Sequence, residues 1–104
     1  MIPRDTHLQI GSLLFEGVDQ IDLTGPFEVL SRLPNATCRV YAKSLSPVRD
    51  VNGLRLMADA TLRDAPILDV LHVPGGRGQE ALMADEEVLG WLRSFPSVAA
   101  DPEG

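Results

Sequence analysis

Three short apolar runs, each closed abruptly by glycine or proline, set the frame of this chain. The first is Leu8 to Phe15 (LQIGSLLF), followed at once by Glu16-Gly17. The second is Thr37 to Ala42 (TCRVYA), rich in β-branched and aromatic residues. The third, Ile67 to Val73 (ILDVLHV), stops at Pro74-Gly75-Gly76-Arg77-Gly78. Apolar runs of this length, bounded by turn residues, predict strands buried on both faces. Helical signals lie between and after them. Thr24 can cap a helix that tolerates Pro26 in its first turn. Pro26, Phe27, Val29, Leu30 and Leu33 then recur as one apolar stripe, and Pro34-Asn35 stops it. After the third run a short helix is expected from Gln79 to Ala84. Asp85 caps a further one, with Glu86 and Glu87 near its positive end. On that helix Val88, Leu89, Leu92 and Phe95 face the core, Trp91 flanks them, and Pro96 ends it.

Between the second and third runs, Pro47 to Val51 and Leu54 to Met57 flank Asn52-Gly53. That dipeptide predicts a small β-hairpin in which both turn residues take positive φ. The order is β-α-β-hairpin-β-α-α. Strands alternating with helices predict an α/β fold, a parallel sheet with helices on both faces. With 104 residues there is room for one small domain. Its core is expected over residues 8–95. Residues 97–104 (SVAADPEG) are small, polar and broken by proline, and read as a frayed tail where a further buried strand would be due.

Charge and cysteine content exclude several functions. The net charge is -6, and the nine basic residues are scattered. Polyanions need a basic patch, so nucleic acid and anionic membrane are not expected partners. No stretch approaches the ~18 apolar residues of a membrane span, and the first residues lack the apolar core of a signal peptide. A cytoplasmic location is the expectation. The single cysteine, Cys38, excludes an internal disulfide. It lies inside a strand and is expected to be a structural thiol, because reactive thiols need an accessible, electropositive setting. His72 ends a strand with no metal-ligand partner at useful spacing, and His7 sits near the terminus. Neither suggests catalysis.

In open parallel sheets, ligands bind at the carboxyl ends of the strands. Two loops are expected there, Glu16 to Thr24 with Asp22, and Pro74 to Gly78. Asp22 lies between Ile21 and Leu23, where partial desolvation would let a carboxylate share a proton with a neighbour. The N–H groups of Gly75 and Gly76 can stabilise an oxyanion. Taken alone, Asp22 reads first as support for the turn and helix terminus, and Gly75-Gly76 as a plain strand-to-helix turn. Gly76 to Ala81 also fits the dinucleotide pattern G-x-G-x-x-A. That match is weak, because Glu80 would sit near the pyrophosphate and the required later acid could only be Asp101.

Two longer stretches carry a family resemblance. Leu13 to Val18 followed by Gln20 to Leu30 (QIDLTGPFEVL), and Asp69 to Gly76 (DVLHVPGG), resemble the ThiJ/PfpI family, within the class I glutamine amidotransferase-like superfamily. The segment around the hairpin, Val48 to Leu56, also fits. Within the family, the isonitrile hydratases typically carry D-L-T-G-P. The resemblance spans about Leu8 to Phe95 and implies a flavodoxin-like fold, common dimerisation and no cofactor or metal. It implies a cysteine nucleophile on an elbow after the next core strand. Asp22 would be the acid that supports this cysteine, and Gly75 and Gly76 would bind substrate or developing charge. The implied activity is that of a lyase, hydrating a small-molecule isonitrile to an N-substituted formamide. The elbow cysteine has no counterpart here, and Cys38 is on the wrong element. The expectation is therefore an amino-terminal, truncated portion of such a domain, inactive alone, marginally stable or self-associating, with a homodimer or a complementing fragment as partner. Two other readings stay open. One is the ligand-sensing domain of an AraC-like regulator, which can carry G-P-x-E-V as at Gly25 to Val29. The other is a non-catalytic interaction domain.

Overall fold

A computed structural model describes residues 6–95. Strand β1 (Leu8–Leu13) leads to helix α1 (Gln20–Leu30) and strand β2 (Ala36–Ala42). A hairpin of β3 (Val48–Arg49) and β4 (Arg55–Leu56) follows. Then come β5 (Ala60–Thr61), a 3-10 turn (Leu62–Asp64) and β6 (Val70–His72). Helices α2 (Gln79–Met83) and α3 (Glu86–Arg93) complete the described chain. The main sheet has the order β5-β2-β1-β6 and every pairing in it is parallel. This is the expected α/β architecture.

β1 is the centre of the sheet because its run of residues can be buried on both faces. Ile10 to Phe15 are all buried. Of these, Leu13, Leu14 and Phe15 join Val18, Leu23, Tyr41, Ala42, Leu62, Leu82 and Val88 in one core cluster that draws on strands and helices alike. Each such side chain removed from water contributes roughly 1.5–3 kcal/mol. Gly11 leaves room for neighbours in this packed strand. A Cβ there would stand 2.6 Å from Leu68 Cδ1 and 2.9 Å from the Tyr41 ring. Two aspartates finish the sheet at its polar edges. Asp69 Oδ2 accepts from the Gln9 N–H at 2.7 Å, and Asp59 Oδ2 accepts from the Val40 N–H at 2.8 Å.

Several local expectations need correction. Helix α1 begins at Gln20 with Asp19 as its N-cap, four positions before Thr24. The cause is tertiary: the Asp19 N–H donates to the Gly75 carbonyl and Val18 bridges to Asp50, so the chain is already turned before Thr24. Pro26 therefore lies inside the helix, where it leaves the Asp22 carbonyl without its helical donor. The Thr24 hydroxyl donates back to the Gln20 carbonyl at 3.0 Å instead of capping. The predicted stripe is not one buried face, since Val29 and Leu33 are exposed and the buried residue of α1 is Leu23.

The hairpin is present, but its turn differs. Gly53 has φ +92°, and no described residue other than glycine has positive φ. The Gly53 N–H donates to the Asp50 carbonyl and the Asp50 N–H to the Leu54 carbonyl. This is a three-residue loop with one left-handed glycine, in place of the two-residue Asn-Gly turn. Buried Asp50 sets it, its Oδ1 accepting from the N–H groups of Asn52 and Leu54. The third core strand is also shorter than its apolar run. Ile67 is 76% exposed and precedes β6. No helix among the described residues is long and apolar enough to cross a membrane. The expected tail at 97–104 and the Pro96 stop lie outside the described residues.

Candidate functional site

The order of the sheet locates a crevice. From β1 the chain moves outward to β2 and β5, then returns to place β6 on the other side of β1. Neighbouring β1 and β6 thus come from opposite ends of this excursion, and the loops that follow them lie side by side at the carboxyl ends of the strands, where such sheets hold ligands. Asp22 and the Pro74-Gly75-Gly76 turn both lie there.

Backbone contacts bind the two loops tightly. The Asp19 N–H donates to the Gly75 carbonyl at 2.8 Å, and the Gly78 N–H to the Gly17 carbonyl at 3.1 Å. Gly76 has φ +137°, and a Cβ on it would collide with the Gly17 carbonyl oxygen. A Cβ on Gly78 would collide with the Glu16 carbonyl oxygen. The glycines allow one loop to lie directly on the other. The weak dinucleotide pattern at 76–81 is explained by this packing.

This contact brings Asp22 to Gly75. A Cβ on Gly75 would stand 2.9 Å from Asp22 Oδ2. Asp22 sits in the first turn of α1, where the helix dipole favours a carboxylate. It is exposed, contrary to the expected partial desolvation, because the Ile21 beside it also points to solvent and leaves it uncovered. Among the described residues, the N–H groups of Gly75 and Gly76 have no acceptor. The corner therefore offers one carboxylate and two unused amide donors.

His72 and Ser12 stand at the carboxyl ends of β6 and β1, the strands that lead into the two loops. They face each other in the β1–β6 register, and Ser12 Oγ lies 3.3 Å from His72 Nδ1. Burial pushes the imidazole pKa below its ordinary value, and the Asp22 charge opposes that shift. No sequence spacing announces this pair, because its members are 60 residues apart and meet through strand register.

Cys38 stands elsewhere. It pairs with Ile10 in the body of the sheet, below the level of Ser12, and burial pushes its thiol pKa up. That setting suits a structural thiol and not a nucleophile. Among the described residues no three His, Cys, Asp or Glu side chains gather as a metal site. A cavity of about 260 Å³ opens between the sheet, the hairpin and the last helices, lined by Leu14, Phe15, Lys43, Val48, Leu82 and Asp85. It includes none of Asp22, His72 or Gly75. A salt bridge of 2.6 Å joins Lys43 to Asp85 there and ties the end of β2 to the cap of α3.

Comparison with known proteins agrees with this architecture. The isonitrile hydratase of Pseudomonas putida is 49% identical over 87 residues, which are 84% of this chain and 38% of that protein. The crystal structure of a ThiJ/PfpI family protein from Pseudomonas syringae superimposes with a TM-score of 0.80 at 35% identity, covering 88% of this chain and 38% of the other. A two-domain protein from Anabaena variabilis, with DJ-1/ThiJ/PfpI-like and ferritin-like domains, shares the fold at a TM-score of 0.72 and 16% identity, over 84% of this chain and 26% of its own. This chain thus spans well under half the length of each. The sequence pattern of the DJ-1/PfpI family matches residues 9–99, and the chain belongs to that family.

Proposed function

We propose that this chain supplies the acid-and-amide part of a cysteine-dependent site of the isonitrile hydratase type. The observation that carries the reading is the corner in which the Asp22 carboxylate lies against Gly75 beside two unused backbone donors. The hydratase of P. putida, to which the chain is 49% identical, gives the reaction class. Asp22 would hold the thiol of a cysteine and accept or return its proton. Gly75 and Gly76 would bind charge as it develops on the substrate. Cys38 is half-buried in the wrong part of the sheet, so the nucleophile must come from polypeptide outside these 104 residues.

The chemistry balances without a cofactor. The sulfur and proton of the thiol add to the isonitrile carbon and give a thioimidate. Water adds to that carbon, the C–S bond breaks, and the products are an N-substituted formamide and the free thiol.

Complementation tests this. The chain is mixed with a polypeptide carrying the remaining part of the P. putida hydratase, and loss of an alkyl isonitrile is followed. The chain alone is expected to give no turnover, the mixture to turn over, and Asp22→Ala to abolish that turnover. Turnover by the chain alone, or a mixture that associates and stays inactive, would overturn the proposal.

A further inference from the structure

The corner contains a buried hydroxyl that constrains a histidine. Ser12 is 1% exposed, and no buried side-chain polar atom among the described residues lacks a hydrogen-bond partner. The partner of Ser12 is His72 Nδ1, and among the described residues its hydroxyl has no other. A buried O–H without an acceptor is left with its full desolvation penalty. The Ser12 proton must therefore go to Nδ1, which leaves that nitrogen unprotonated. The ring proton is then on Nε2, which has no partner among the described residues. Protonating Nδ1 would take away the acceptor of Ser12, so the pair resists the imidazolium. The groups acting on the ring are Ser12 from β1 and Asp22 from α1.

We infer that His72 is a ligand-binding residue of the Asp22 corner, locked by Ser12 as the neutral Nε2–H tautomer so that it serves a ligand as a hydrogen-bond donor and not as a base. This rests on the reading of that corner as the site. It adds a third donor to the two glycine amides and defines what the corner accepts: a small molecule with a lone pair or growing negative charge at the reacting end, as a formamide oxygen has.

Nitrogen-edited NMR of the histidine ring tests this in the 104-residue chain with His7→Gln, which leaves one imidazole. At pH 7.5 the spectrum is expected to show the Nε2–H tautomer. Ser12→Ala is expected to give mixed tautomers and to move the titration midpoint upward. Asp22→Asn is expected to move the midpoint downward and leave the tautomer unchanged. The unmodified chain and the exposed Asp22 variant need no buried substitution, so the test survives if Ser12→Ala does not fold. An Nδ1–H tautomer in the unmodified chain, or a folded Ser12→Ala variant that behaves as the parent, would overturn the inference. Titration with N-methylformamide separates it from the reading beneath it. Joint movement of the His72 Nε2 signal and the Gly75 and Gly76 amides supports both. Movement of the glycine amides alone sinks the role of His72 and leaves the site. Movement of neither sinks both.

Discussion

A methyl group added at Gly78 would meet the Glu16 carbonyl oxygen, whereas one added at Gly90 meets nothing within 4 Å. The two glycines should therefore answer alanine in opposite senses. Gly90→Ala removes a helix-interior glycine from α3 and should stabilise by about 0.5–1 kcal/mol. Gly78→Ala forces the two site loops apart and should cost about 3 kcal/mol, the upper part of the usual overpacking range. Gly75→Ala is a third case. Its added Cβ meets the end of the Asp22 side chain at 2.9 Å, and a carboxylate at the surface can move away. Its urea midpoint should stay near the parent's, while Asp22 is displaced from the turn and the complemented activity falls. Urea melts of the three variants check the order. The sequence marked Gly75, Gly76 and Asp22 because D-L-T-G-P and P-G-G are local patterns. It could not mark Ser12 with His72, since a pair made by parallel register leaves no spacing to read. Nor could it show that Asp22 stays exposed, which depends on where Ile21 points.

Helices α1 and α3 both open on an aspartate, yet the two caps differ. The Asp85 carboxylate accepts from the N–H groups of Glu87 and Val88 and also holds Lys43. The Lys43 hydrogen bond, with help from those N–H groups, holds its pKa below the ordinary carboxylate value. Asp19 makes no such side-chain bond, and α1 is started by backbone contacts to the Pro-Gly-Gly turn. Asp85→Ala should lower the urea midpoint clearly, and Asp19→Ala by less. Asp50→Ala belongs with the first, since it strips the N–H groups of Asn52 and Leu54 of their acceptor inside the hairpin. A cost of about 1–3 kcal/mol is expected for it. Circular dichroism followed through urea ranks the three, and equal losses for Asp19 and Asp85 would contradict this account. The same contrast explains which elements could be read in advance. The start of α3 is encoded locally by Asp85-Glu86-Glu87, and its cap was legible. The start of α1 is imposed by a loop more than fifty residues away in sequence, so the local Thr24-Gly25-Pro26 signal misplaced it. Strand β5 has two residues and no apolar pattern of its own, and it is a strand because β2 offers it an edge.

At the scale of the whole molecule, the sheet ends differently on its two sides. On one side β5 is short and runs straight into a 3-10 turn, which limits the open edge. On the other side β6 pairs with β1 alone among the described residues, and its outer row of backbone groups is unpaired. Exposed Ile67 and Val70 flank that row. An unpaired strand edge that exposes apolar side chains is a template for another strand. The P. putida and P. syringae relatives are longer, and this chain covers 38% of each. Purified as 104 residues, the chain is therefore expected to self-associate. Its mass by light scattering should rise with concentration. Val70→Lys and Ile67→Lys place charge on the edge without touching the core cluster, so they should lower that mass while the circular dichroism stays unchanged. Addition of the remaining part of the P. putida hydratase should compete for the same edge and replace large species by a defined heterodimer. A chain that stays monomeric at every concentration and melts in one sharp calorimetric transition would show that the β6 edge needs no cover. The Asp22 corner would then have to be understood as a finished binding site, not as part of one.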